Sequence, residues 1–283
     1  MKRMNVALAT VTALGLAISA GCSRNETPDA VLAVTAVETS SGETTYQFQM
    51  PDEVPAGATR ISLTNNGAEA HHAQLFRLDD GKTMADLAET LASGEPAATS
   101  DVGRFVGGTG LVDPGGSSQA DAILDLRPGA YAFICFVEGA DGSPHLAHGM
   151  LQPLEVTDEN DQSSPPPEAD EEISLIDYAF DTPDRLPGDG VLAISNRSST
   201  EPHEMIIGRF HEDATVDDVR GALNNGTPAP MTSIGGMQAL PPGASAHLQL
   251  DLPPGRYVFI CHIPSPDGHA HYTKGMIREV IIT

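Results

Sequence analysis

Basic residues are scarce. Lys and Arg number 15 against 39 Asp and Glu, a formal net charge of -24, so the surface repels phosphate backbones and nucleic acid is excluded as a partner. A solvated acidic surface accounts for the charge without a special partner. Tryptophan is absent, yet a hydrophobic fraction of 40% leaves enough apolar residues for a core. With 28 Gly and 22 Pro, the composition argues against long helices and for strands joined by turns. No nucleophile elbow, phosphate loop or paired-carboxylate constellation is present, so a hydrolase or kinase has no support. Cysteine occurs three times, and each occurrence can be placed.

The first, Cys22, closes a leader. Met1-Lys2-Arg3 precedes an apolar run from Val6 to Ala20 and then Gly21-Cys22, the pattern of a signal peptide over residues 1–21. "ISAGC" resembles the lipobox of bacterial lipoproteins, although Ser19 stands where that motif usually has Leu. The resemblance implies a lipidated Cys22, a tether over residues 22–30 and a membrane-anchored protein in the periplasm or on the cell surface, secreted if Cys22 is left unmodified. The other two, Cys135 and Cys261, are an even count in an oxidising compartment, which suggests a disulfide. They occupy equivalent places in two repeats, however, and bridging them would bring the same strand end of both copies within about 7 Å.

The repeat is plain at the end of each half. "YAFICFVEGADGSPHLAHGM" and "YVFICHIPSPDGHAHYTKGM" place Cys135, His145 and Met150 in the same frame as Cys261, His271 and Met276. "YQFQMPDEVP" from Tyr46 matches "YAFDTPDRLP" from Tyr178, and each leads to a strand-like stretch ending at Asn65 or Asn196. His72 and His203 both lie seven residues past those asparagines; His71, adjoining His72, breaks that interval and is the lesser candidate. Thr83 and Thr215 each have an acid three residues on and a Gly eleven on, which predicts one short capped helix per half. "LRPGAY" and "LPPGRY" are turns into the strand that carries the cysteine. The acidic, Pro-rich stretch 157–172 reads as a linker. The expected architecture is all-β: two Greek-key β-sandwich domains, residues 31–156 and 173–283, each with one short helix.

Cys, His and Met form a soft donor set that suits copper, whereas zinc has little use for Met. On these residues each half resembles a cupredoxin, the blue-copper fold. The resemblance implies one copper per domain, held by His72, Cys135, His145 and axial Met150, and by His203, Cys261, His271 and axial Met276. It also implies that Asn65 and Asn196 brace the ligand loops. The loop from Cys to His is longer than in small electron carriers and nearer to that of copper nitrite reductases. His262 follows Cys261 as a second-copper ligand would, but "HAH" at His269 to His271 is the only His-x-His pair, so an oxygen-reducing trinuclear cluster is not expected and His262 reads as a surface-loop residue. The expected function is one-electron transfer with a redox or copper-exchange partner, rather than enzymatic turnover. A metal-free binding scaffold and copper storage or delivery stay open as alternatives.

Overall fold

The computed structural model describes residues 30–40, 44–94, 96–158 and 165–283. The leader, Cys22 and most of the tether lie outside them, as does the middle of the expected linker. In the first half the elements are β1 (Ala30–Ser40), β2 (Thr44–Gln49), β3 (Glu53–Pro55), β4 (Gly57–Asn65), β5 (His71–Leu78), α1 (Met84–Ala92), β6 (Gly103–Val112), β7 (Ala120–Leu126), β8 (Gly129–Ile134) and β9 (Leu151–Thr157). In the second they are β10 (Glu171–Ile176), β11 (Ala179–Asp181), β12 (Arg185–Leu186), β13 (Asp189–Asn196), β14 (His203–Phe210), α2 (Val216–Asn224), β15 (Met231–Leu240), β16 (Ser245–Asp251), β17 (Gly255–Ile260) and β18 (Ile277–Ile282). Among the described residues the chain is all-β with two short α-helices, in line with its composition. Thr157 and Glu171 belong to strands, so the ordered halves reach slightly into the stretch that reads as linker.

Both helices start as the sequence dictates. The Thr83 hydroxyl accepts from the Asp86 N–H while the Asp86 carboxylate accepts from the Thr83 N–H, and Thr215 with Asp218 repeats the box. Two unpaired N–H donors are satisfied at each helix start. Gly94 and Gly226, just past the last turns, adopt positive φ of 69° and 62°.

Period-2 alternation decides where the cysteines go. Along β8, Tyr131 and Phe133 face the central core and Cys135 follows them inward, while Ala132 and Ile134 face the smaller cluster under α1 with Phe76 and Leu87. Along β17, Tyr257, Phe259 and Cys261 repeat the inward set, and Val258 and Ile260 pack under α2 with Val219. Strands buried on both faces read as continuous apolar runs, hence "YAFI" and "YVFI".

The halves do not hang apart on a linker. One sheet runs β2-β1-β4-β7-β16-β13-β10-β11, joined across the halves by antiparallel pairing of β7 with β16, as in Ile123 with His247. The facing sheet runs β3-β9-β8-β5-β6-β15-β14-β17-β18-β12, joined where β6 meets β15. A single apolar core between them contains side chains of both halves, from Leu32 to Ile282. At the seam the backbones come very close: a Cβ on Gly110 would sit 2.5 Å from the Gly235 carbonyl oxygen, and one on Gly235, whose φ is +115°, would sit 2.6 Å from that of Ala120. Gly235→Ala should therefore destabilise the protein by about 1–3 kcal/mol, from strained backbone and a collision across the seam. Chemical denaturation of the metal-free chain checks this, and an unchanged midpoint would mean that the seam yields freely.

Candidate metal centres

Two clusters of buried nitrogen and sulfur donors sit inside the sandwich, where β8 and β17 end. In the first, Cys135 Sγ lies 3.9 Å from His71 Nδ1 and 3.6 Å from His145 Nδ1, and the two nitrogens are 3.0 Å apart. In the second, Cys261 Sγ lies 3.3 Å from His271 Nδ1, which is 3.0 Å from His203 Nδ1. All six side chains belong to fully buried residues.

The upstream histidine of the first cluster is His71, where the sequence frame pointed to His72. β5 explains the correction. His71, Ala73 and Leu75 share the face towards the central core, whereas His72 lies on the opposite face with Phe76, which packs under α1. A one-residue slip on a strand moves a side chain to the opposite face. The connection from Asn65 to β5 is one residue shorter than that from Asn196 to β14, so counting from the asparagine overshoots by one. His72 instead accepts the Phe136 N–H at its Nε2 (2.7 Å). Burial, with the neighbouring His71, His145 and His262, pushes its pKa down to about 3. Its counterpart is the buried Glu204, which accepts the His262 N–H (2.7 Å) and which burial raises to about 7. His262 itself is half-buried against the Tyr272 ring, not on an open loop.

A local hydrogen-bond frame holds each cluster. After the cysteine the chain turns back through a 3-10 turn at His145–His148 or His271–Lys274. His145 N–H donates to the Val137 carbonyl, Met150 N–H to the His145 carbonyl and Cys135 N–H to the Met150 carbonyl; His271, Met276 and Cys261 repeat all three. Met150 and Met276 are thus fixed beside the cysteines and are fully buried. The sulfurs accept backbone N–H groups, His72 and Val137 on Cys135, Glu204 and Ile263 on Cys261. Asn65 Nδ2 donates to the Glu69 and Val112 carbonyls, and Asn196 Nδ2 to those of Glu201 and Leu240. They tie down the loop that delivers each upstream histidine.

The residues that sequence reasoning missed are acids and tyrosines. His71 Nε2 meets Glu38 (3.1 Å), His145 meets Glu69 (2.9 Å), His203 meets Asp177 (2.8 Å) and His271 meets Glu201 (2.8 Å). Tyr46 stacks on His145 with ring centroids 3.8 Å apart, and Tyr178 covers His271 at 4.8 Å while donating its hydroxyl to Glu201 (2.7 Å). One signal was available: "EAH" ends at His71 and "EPH" at His203, so aligning Glu69 with Glu201 identifies the right histidine.

The electrostatics follow from burial. Burial pushes the Cys135 thiol up to about 12 and the Cys261 thiol well above its ordinary value. Burial likewise lowers His71 and His271. These thiols stay protonated at neutral pH unless a cation displaces the proton, because a coordinating thiol is deprotonated outright. The donor triangle fits such a cation: bonds of about 2.0–2.1 Å to nitrogen and about 2.3 Å to sulfur place donors roughly 3–4 Å apart. With every Nε2 engaged by a carboxylate, Nδ1 is the free donor of each imidazole. Two nitrogens, a thiolate and a neighbouring thioether are the set that suits copper. Cys135 and Cys261 are both free thiols.

The fold and the two clusters together define a cupredoxin-like β-sandwich. No protein-family model matches the chain, and no curated protein matches it. Among solved structures it is similar to dithionite-reduced auracyanin from the photosynthetic bacterium Roseiflexus castenholzii, at 26% identity over 40% of this chain and 95% of that one, TM-score 0.29. Auracyanin A of Chloroflexus aurantiacus, described as a "blue" copper protein, matches at 24% identity over 44% and 99%, TM-score 0.28. A copper nitrite reductase from Nitrosomonas europaea matches at 14% identity over 89% and 93%, TM-score 0.27.

Substitution separates the adjacent histidines. His71→Ala should lower the metal retained by the first cluster at least tenfold, while His72→Ala should leave it within about twofold. Bound metal counted after desalting is the check, and the reverse order would place His72 at the centre.

Proposed function

We propose that the protein binds copper at both clusters and passes electrons one at a time. The ligands would be His71, Cys135 and His145 with Met150 as a weak axial thioether, and His203, Cys261 and His271 with Met276. The observation that carries this reading is the convergence of two imidazole Nδ1 atoms and a buried thiol within 3.9 Å, beside a buried methionine. Bound there, copper would supply a Cu(I)/Cu(II) couple.

The chain's own contribution is rigidity and dryness. The sheets fix the upstream histidine and the cysteine, the 3-10 turn fixes the second histidine and the methionine, and water is kept from all of the donors. Little has to move when the charge at the centre changes, which suits electron transfer better than copper delivery. Delivery would need ligands that open, whereas here the histidines are fully buried and the cysteines and methionines belong to the core itself.

The signal peptide, a lipid on Cys22 and an extracytoplasmic, membrane-anchored position belong to the same proposal. The leader pattern and the "ISAGC" sequence support them. The partner would be a redox or copper-exchange protein that meets this acidic surface.

Colour tests the proposal. After Cu(II) is added to residues 23–283, an intense thiolate-to-copper band is expected; Cys135→Ser should remove about half of it, Cys261→Ser the other half, and the double variant all of it. A band that survives the double substitution would exclude the cysteines, and a colourless wild type would favour a metal-free scaffold.

A further inference from the structure

All four cluster histidines have their outer nitrogen on a carboxylate, and the two halves keep this bond through unequal sequence. Glu38 lies two residues past Ala36, which pairs with Asn65; Asp177 lies two residues past Leu175, which pairs with Asn196. The two acids therefore occupy one place on the sheet. The hairpin beyond them differs, with Tyr46 eight residues after Glu38 and Tyr178 directly after Asp177. The residue type changed from Glu to Asp and the hairpin changed length, yet the negative charge on the upstream histidine was kept. Glu69 and Glu201 do the same for the second histidine, across loops of unequal length.

The bonds are well supported. Glu38 Oε1 also accepts the N–H groups of Ala68 and Glu69, at 2.9 and 2.8 Å. Burial pushes this carboxyl upward, but the Glu69 and Ala68 N–H groups and the His71 ring outweigh it and hold the carboxyl below its ordinary value. Asp177 is likewise held low against burial by His203 and Ser198. Near the second centre Lys274 sits over the Tyr178 ring at 4.9 Å and is already paired with Asp267 at 2.7 Å.

Resting on the copper reading, we propose that Glu38, Glu69, Asp177 and Glu201 are positioning residues that set the oxidation-state preference of each centre. They hold each imidazole as the Nε2–H tautomer, so that both Nδ1 lone pairs face the cysteine sulfur. A carboxylate behind a ligating imidazole also increases its basicity. Each centre then gathers a thiolate and two carboxylates, three negative charges, around one cation. Every added positive charge is stabilised, so Cu(II) gains more than Cu(I).

Glu69→Gln and Glu201→Gln, singly, test this with copper affinities measured by competition against Cu(I) and Cu(II) chelators. The substituted centre should bind Cu(II) about 10–100-fold more weakly and Cu(I) much less so. The Cu(II)/Cu(I) affinity ratio falls at least about tenfold, a rise of about 59 mV for one electron. Glu69→Asp should restore most of the ratio. Equal losses of both affinities, or no loss, would overturn the proposal, since a merely structural role weakens both states alike. Nitrogen NMR of metal-free wild type should show the four imidazoles protonated at Nε2, with the tautomer of His145 changing in Glu69→Gln. An unchanged tautomer would overturn the positioning role. A wild type that retains no copper would sink the copper reading alone, because the tautomer measurement needs no metal.

Discussion

The constraint on which the rest depends is the meeting of two imidazole nitrogens and a thiol inside an apolar core. Three donors that face one another away from water are expensive unless something positive lies among them. Burial raises the thiol and lowers the imidazoles, so the chain alone tends towards the neutral forms. A soft cation reverses that preference, and the surrounding structure is arranged to receive one. The cysteine comes from a strand end, the upstream histidine from the neighbouring strand, and the second histidine and the methionine from one tight return. Carboxylates occupy the outer nitrogens and leave the inner ones free.

The shared sheets give these centres a common frame. Because β6 pairs with β15 and β7 with β16, the halves form one sandwich with one core, and Cys135 and Cys261 both line it. The short closure between strand ends and their returns fixes the donors within each half, and the glycine contacts at the seam fix one half against the other. Among the described residues no helix is long and apolar enough to cross a membrane.

Much of this was legible. The repeated Cys, His and Met frame, the capped helices at Thr83 and Thr215, and the strands ending at Asn65 and Asn196 follow from local chemistry: alternation, caps and turns. The first histidine did not, because a loop one residue shorter makes the interval from asparagine misleading. Strand alternation through Ala73 and Leu75 marks the correct face. Glu69 and Glu201 stand out only when "EAH" is aligned with "EPH", and Glu38 and Asp177 could not be singled out in a chain with 39 acids; their contacts reveal them. The joined sheets were also hidden, since an acidic, Pro-rich linker suggests separation and nothing in a strand's composition says which edge it will pair.

X-ray absorption at the copper edge of the loaded protein tests the central claim most directly. The account predicts two coppers per chain, each with one sulfur and two imidazole nitrogens at bonding distance and a weaker, longer sulfur contact. Copper surrounded by oxygen and nitrogen alone, without a short sulfur neighbour, would contradict it.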